Sequence, residues 1–298
     1  MSTTTTKKFI DLHLHSLYSE GALTPQQIME RAQKNNVAVI AIADHNTIAG
    51  SKILLKINSP KLKTLSAVEL YTKYKTQSFH LLGYNFHLHH DELNSIITDL
   101  EKKHLRAAQK CIKKLNKLGF IIDWEKVNQT QSHYIGHGHI VHVLEKNPKN
   151  LKKLRKFIQP DGRLSFFAVV NAFLIKNRPA HLEENNLPID QAIKLIKKAG
   201  GIPVLAHPGQ QLSWERDYYI KILKAMGLQG LEVISPYHNW GQIEHYQKMA
   251  LNLNLAITGG SDFHCDVNFT GRELIKNQWD YFKIPYRLFT EFEKQFLK

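Results

Sequence analysis

Apolar positions along the chain fall into short runs, most of which close on a histidine or a carboxylate. Residues 9–15 alternate as a strand, and side chains two apart share a face, so His13 and His15 emerge together at its end. Residues 37–43 have no polar break, the pattern of a strand covered on both faces in a parallel sheet, and Asp44-His45-Asn46 follows. Residues 62–68 predict a third strand ending in Glu69, and residues 79–84 a fourth with His80 near its start. The same cadence returns after Asn186. Strands are expected over 202–206, 230–234 and 255–258, leading into His207-Pro208-Gly209, Ser235-Pro236-Tyr237-His238 and Gly259-Gly260-Ser261-Asp262-Phe263-His264.

Helical spacing fills the gaps. Thr24 caps a helix with Pro25 at its first position and Ile28, Met29 and Ala32 on one face. Further helices are expected from 47 to about 56 and near 189–198, 218–226 and 242–251. From about His87 the period changes: Leu93, Ile96, Ile97, Leu100, Leu105, Ala108, Ile112 and Leu115 recur at helical spacing until Gly119. A second helix over 148–158 turns Leu151 and Leu154 inward. The chain therefore divides into an α/β unit over 9–86, a helical insertion over 87–187 and the rest of the α/β unit over 188–285.

Charge changes this picture in one respect. The 298 residues carry 40 Lys and Arg against 26 Asp and Glu, a net charge of +14. Between residues 99 and 160 the count is fourteen against five, so the insertion supplies nine of the surplus charges. A localised surplus favours an anionic partner, a nucleic acid or a phosphorylated small molecule, over a merely solvated helix face. The two cysteines, Cys111 and Cys265, form no CxxC pair, which argues against a disulfide framework or zinc ribbon and for a reducing compartment. With no signal-peptide pattern and no bilayer-length apolar run, the cytoplasm is the expected location.

The chemistry follows from position. Loops after parallel strands converge at the carboxyl-terminal face, so His13, His15, His45, Glu69, His207, Asp262 and His264 are expected to meet there. Imidazoles mixed with carboxylates suit zinc, iron or manganese, and these donors exceed the needs of a single ion, which implies roughly two or three. A G-x-S-x-G elbow and a phosphate-binding P-loop are both absent, which disfavours acyl transfer and nucleotide triphosphate chemistry of that type.

Asp11-Leu-His13-Leu-His15-Ser16, Ser19-Glu20-Gly21, Ala43-Asp44-His45, Val68-Glu69, Phe79-His80-Leu-Leu-Gly83, Leu205-Ala-His207-Pro208-Gly209 and Gly259-Gly-Ser-Asp262-Phe-His264 resemble the motifs of the PHP (polymerase and histidinol phosphatase) superfamily. Within it the chain is most similar to the 3′,5′-nucleoside bisphosphate phosphatases that also act as 5′→3′ exoribonucleases, the RNase AM type. The likeness runs in order from Phe9 to Arg272 and includes the insertion. It implies an α/β fold, a distorted (β/α)7 barrel with a helical insertion, and a cluster of divalent ions. Manganese is the implied metal, with zinc or iron as alternatives. The implied ligands are His13, His15, Glu20, His45, Glu69, His80, His207, Asp262 and His264. Glu69 and Asp262 would bridge ions, and His207 or His264 would protonate the leaving oxygen while a metal-activated hydroxide attacks phosphorus. Substrate contacts are implied for His137, His139, Lys176, Arg178 and Arg272, and His238, with Glu232 earlier in its strand, is a further substrate-facing or supporting position.

Two positions depart from the family pattern. Ser19-Glu20-Gly21 stands for Ser-Asp-Gly, so the carboxylate reaches one methylene further and one ion is expected to bind more weakly. His137-Gly138-His139 stands for Arg-x-His, which replaces a permanent bidentate cation with a titratable one. The expected substrate is a nucleotide or short 5′-phosphorylated RNA, with no membrane and no obligate protein partner. Histidinol-phosphate phosphatase activity, or a non-catalytic nucleic-acid-binding module, are the alternatives.

Overall fold

The apolar runs become the strands β1 (Phe9–Leu14), β2 (Val37–Ile42), β3 (Lys63–Tyr74), β4 (Gln77–Tyr84), β5 (Leu187–Pro188), β6 (Ile202–Leu205), β7 (Gly230–Ile234), β8 (Ala256–Gly259) and β9 (Ile284–Pro285). The computed structural model describes residues 8–57, 59–60, 62–129, 132–265 and 278–297. The sheet runs β8-β7-β6-β4-β3-β2-β1-β9, with β5 paired to β3 off this path. Pairs β1–β2, β2–β3, β6–β7 and β7–β8 are parallel, whereas β4 runs antiparallel to both neighbours. The carboxyl ends of β1 and β8 meet through a parallel bridge between Leu14 and Phe263, and His15 N donates to Phe263 O at 2.9 Å. The sheet is thereby a nearly closed barrel.

Helices cover it: α1 (Pro25–Lys34) and α2 (Ala49–Leu54) follow the first two strands. The insertion contributes α3 (Asp91–Lys117), α4 (Trp124–Val127), α5 (His137–Glu145), α6 (Pro148–Leu154) and α7 (Phe166–Val169). Then come α8 (Ile189–Lys198), α9 (Pro208–Gln211), α10 (Tyr218–Ala225), α11 (Trp240–Asn252) and α12 (Tyr286–Phe296). The start of α1 is fixed by a reciprocal cap, in which Thr24 Oγ1 accepts from Gln27 N (3.1 Å) and Gln27 Oε1 from Thr24 N (2.9 Å), worth about 1 kcal/mol. No helix among the described residues is long and apolar enough to cross a membrane.

Among the described residues the core forms four clusters. Leu12, Val39, Ala41, Leu82 and Val204 fill the barrel, joined by Phe289 and Phe292 of α12. The insertion holds its own cluster around Cys111, Leu115, Ile140, Leu144 and Leu174. Helix α3 joins the insertion cluster to another, because Leu93, Ile97 and Leu100 pack with Ile193 and Ile196 of α8 while its second half enters the insertion.

Among the elements that differ from the sequence expectation are β3, α6, β9 and α12. Strand β3 does not end at Glu69 but continues to Tyr74, because alternation persists through buried Leu70 and Thr72 and β4 pairs along the whole extension. Helix α6 stops at Leu154 and tightens into a 3₁₀ turn over Arg155–Phe157. The chain past β8 adds β9 and α12, which seal the amino-terminal side of the barrel through Phe9–Pro285 pairing.

Candidate metal centre

Two carboxylates first set the frame. Asp44 accepts from Ser16 N (2.7 Å), Ser16 Oγ (2.6 Å) and Ser19 Oγ (2.6 Å), which folds the loop after β1 back over β2. Asp11 accepts from Ser261 N (2.9 Å) and Trp279 Nε1 (2.7 Å), tying β1 to the loop after β8. Burial pushes the Asp11 pKa up to about 6 against the opposing hydrogen bonds. Neither carboxylate faces the cluster they support.

That cluster is organised around Glu69, which is fully buried. Its Oε1 lies 2.9 Å from His80 Nδ1 and 3.3 Å from His207 Nε2. Its Oε2 lies 2.8 Å from His45 Nδ1, 3.3 Å from His13 Nε2 and 3.4 Å from His15 Nε2. Glu69 therefore faces five imidazoles. Although β3 runs past it, Glu69 sits level with the end of β2, since Asn46 N donates to its carbonyl at 2.8 Å and it bridges to His45. The antiparallel course of β4 explains His80, because the start of that strand lies at the same mouth as the carboxyl end of its antiparallel neighbour β6.

Asp262 and Glu232 complete the cluster. Asp262 Oδ1 is 2.8 Å from His15 Nε2 and 3.4 Å from His13 Nε2. Glu232, fully buried on β7, meets His13 Nδ1 at 3.0 Å and accepts from His207 N at 2.9 Å. His264 stacks on His15, with centroids 4.1 Å apart, and its Nδ1 lies 2.8 Å from the Asp262 carbonyl oxygen. Four groups have donor atoms close enough together to share an ion: His15/His45/His264, His13/His15/Glu69/Asp262, His13/His207/Glu232 and Glu69/His80/His207.

The donor set fits divalent cations. His13 Nε2 and His15 Nε2 are 3.2 Å apart, an approach of two ring nitrogens that one proton at most can bridge. Glu69 Oε2 and His45 Nδ1 are buried and close, yet neither has a partner in hydrogen-bond geometry, so both aim at a common point rather than at each other. Burial, with His264 and His45 alongside, holds the His15 pKa well below the usual imidazole value, which leaves a lone pair available. Burial would raise the Glu69 carboxyl, but His13, His45 and His80 keep it well below the carboxylate range. Likewise burial would lower His13, yet Glu232, Glu69 and Asp262 hold it well above the imidazole range.

The remaining sequence-predicted positions are placed differently. Glu20 lies outside those four groups and accepts from Gly138 N (3.1 Å) at the start of α5. Burial would raise its pKa, but His45, His139 and His264 lower it. A Cβ at Gly136 would fall 2.1 Å from the Glu20 carboxylate, so a larger residue there would displace that side chain. His137 Nε2 is buried without a hydrogen-bond partner, and His139 Nδ1 accepts from Gly136 N at 3.3 Å. Lys176 and Arg178 are exposed after a π-helical turn over Val170–Leu174. His238 does not face the cluster with a free nitrogen, because Nδ1–H donates to Val233 O (2.8 Å) and Nε2 accepts from Gly209 N (2.9 Å). Arg272 lies outside the described residues.

Sequence reading missed three aromatic neighbours. Tyr71 stacks on His45, Tyr134 lies 5.3 Å from His45, and the Tyr237 hydroxyl donates to Asp262 Oδ2 at 2.8 Å. Only Tyr237, in the turn directly after a parallel strand, carried a positional signal. Glu232 was visible as a lone carboxylate in an apolar strand, a position costly without partners. Since it orients His13 through the nitrogen turned away from Glu69, Glu232→Gln is expected to weaken metal binding by about 10–100-fold, measurable by competition with a chromophoric chelator. Unchanged affinity would show that His13 is held by other means.

The model of the PHP domain family matches residues 11–250. A 5′-3′ exoribonuclease of Haemophilus influenzae is 26% identical over 263 residues, covering 87% of this chain and 90% of the relative. A 3′,5′-nucleoside bisphosphate phosphatase of Chromobacterium violaceum is 24% identical over 261 residues, covering 86% and 87%. The solved structure of a protein described as a metal-dependent phosphoesterase from Bifidobacterium adolescentis shares the fold, with a TM-score of 0.76, 22% identity and coverage of 97% and 96%.

Proposed function

Since this chain belongs to the PHP domain family and is a metal-dependent hydrolase, we propose that it cleaves phosphate esters of nucleotides. Its substrates are a 3′,5′-nucleoside bisphosphate, short 5′-phosphorylated RNA attacked from the 5′ end, or both. The observation that carries this reading is the single buried carboxylate of Glu69 facing five imidazoles, flanked by Asp262 and Glu232.

About two or three divalent ions, manganese by preference and zinc or iron otherwise, would be held by His13, His15, His45, Glu69, His80, His207, Asp262 and His264, with Glu232 orienting His13. Such ions supply an acidified water and neutralise charge on the phosphoryl oxygens. Glu20 stands at the edge of this set, consistent with a weaker third position. Of His207 and His264, whichever the ions leave unengaged would give a proton to the leaving oxygen, and His264, with 30% of its side chain exposed against 1% for His207, is the better placed.

The anionic substrate is supported by where the basic insertion docks. Ser132 Oγ and His133 N both donate to Tyr18 O (2.9 and 3.1 Å), and Gly138 N to Glu20, so residues 132–138 of the basic insertion stand beside the mouth. Phosphate contacts are assigned to His137, His139, Lys176, Arg178 and Arg272. A reducing cytoplasm is the proposed compartment, in keeping with two cysteines far apart in sequence and in no CxxC arrangement.

With manganese added, the protein is expected to release inorganic phosphate from adenosine 3′,5′-bisphosphate or mononucleotides from a short 5′-phosphorylated RNA. Chelation should abolish turnover, and added salt should raise KM. Histidinol phosphate outperforming every nucleotide would favour the small-molecule alternative. No turnover on any of these with metal bound would overturn the reading.

A further inference from the structure

Tyr237 sits where the strand carrying Glu232 turns over the mouth of the barrel. Its hydroxyl donates to Asp262 Oδ2 at 2.8 Å, and its ring stands edge-on to His207, with centroids 5.3 Å apart and planes at 72°. Yet Tyr237 is 41% exposed. The other two aromatic neighbours of the cluster already have stacking partners: Tyr71 lies on His45 (4.8 Å, 20°) and Tyr134 on His104 (3.9 Å, 10°). Tyr237 therefore combines a polar tip inside the cluster with a ring open to solvent.

The turn that presents it is firmly held. His238, the next residue, is fixed through both ring nitrogens to Val233 O and Gly209 N, and Asn239 caps α11 by accepting from Gln242 N at 3.0 Å. On the other side, Asp262 adopts a left-handed backbone (φ +50°), a conformation that a residue with a side chain adopts at a cost. Its carboxylate could rotate about χ2 if only Oδ1 were engaged. The Tyr237 donor on Oδ2 fixes the plane of the carboxylate and so holds its other oxygen toward His13 and His15. An ordinary phenol keeps its proton at neutral pH, so the hydroxyl is a donor to this carboxylate.

We propose that Tyr237 links substrate recognition to the metal centre: its hydroxyl positions Asp262, and its exposed ring is the surface on which the nucleobase of the substrate stacks. This rests on the nucleotide reading above. Stacking suits an enzyme of that kind because every base offers a π face, so recognition does not depend on sequence.

The test compares wild type with Tyr237→Phe and Tyr237→Leu. Calorimetric binding of adenosine 5′-monophosphate and of ribose 5-phosphate is measured beside turnover of adenosine 3′,5′-bisphosphate with manganese. Wild type is expected to prefer the base-bearing ligand by about tenfold. Tyr237→Phe should keep that preference and its KM while kcat falls about tenfold, because only the hydrogen bond to a charged group is lost. Tyr237→Leu should lose the preference as well, with ribose 5-phosphate binding unchanged. A Phe variant with wild-type kcat would overturn the positioning role. A wild type that binds both ligands equally, or a Leu variant that keeps the preference, would overturn the stacking role. The wild-type comparison needs no variant to fold, and the base preference is read without turnover, so a protein inactive on nucleotides would sink the broader reading separately.

Discussion

Glu69→Gln is expected to lower kcat/KM by more than about 100-fold, the upper end of what losing an outer partner of a metal ligand costs. Glutamine matches glutamate in volume, so the barrel should fold, but the charge that faces five imidazoles disappears. An amide would also turn N–H groups toward ring nitrogens that need to keep their lone pairs. Every potential ion group containing Glu69 is affected at once, one shared with His13, His15 and Asp262 and another with His80 and His207. Steady-state kinetics at saturating manganese, beside a thermal melt to establish folding, measure the effect. A variant within tenfold of wild type would mean that Glu69 is not the hub.

Gly260→Ala is expected to be comparably damaging by a different route. A Cβ at this position would lie 2.2 Å from His13 Cβ and 2.5 Å from His13 N. That obstacle is largely backbone, and β1 cannot retreat from it, because β1 is paired to β2 and β9 and Asp11 holds Ser261 N. The seam between β1 and β8 must open instead. Overpacking of this kind costs about 1–3 kcal/mol, and here it would also carry Asp262 and His264 away from His13 and His15. The expected result is a lower melting temperature together with loss of bound metal. A variant that melts and binds metal like wild type would show that the seam has room that the static distances do not reveal.

Much of this architecture was legible in the residue pattern, for identifiable reasons. The unbroken apolar run of β2 and the strong 3.6-residue period of α8 leave little room for another reading. His13, His15, His45, His207, Asp262 and His264 stood out because each follows an apolar run at a point where no packing reason calls for a polar side chain. Strand direction was not legible. The same alternation serves a parallel or an antiparallel strand, so His80 looked misplaced until β4 proved to run backwards. The residue pattern ends β3 at Glu69 because the hydropathy of Tyr71, Thr72, Lys73 and Tyr74 does not follow their alternating burial.

Other features lay below the resolution of sequence patterns. Two residues of β9 give no period, and the pairing of Phe289 with Phe292 on one face of α12 is too short a pattern to mark a helix by itself. Contacts between distant segments cannot be read from spacing at all. Glu20 engaging Gly138 and Tyr237 engaging Asp262 both depend on how the loops fold over the mouth. His238 shows the converse, a histidine in a suggestive place whose two nitrogens are taken up by backbone.

The most direct test of a shared multi-ion centre is the metal content of the protein, produced without a metal-binding tag, equilibrated with manganese and freed of excess by gel filtration. About two or more equivalents per chain are expected, since donors converge in four overlapping groups. Fewer than one equivalent on a fully folded chain would contradict the account.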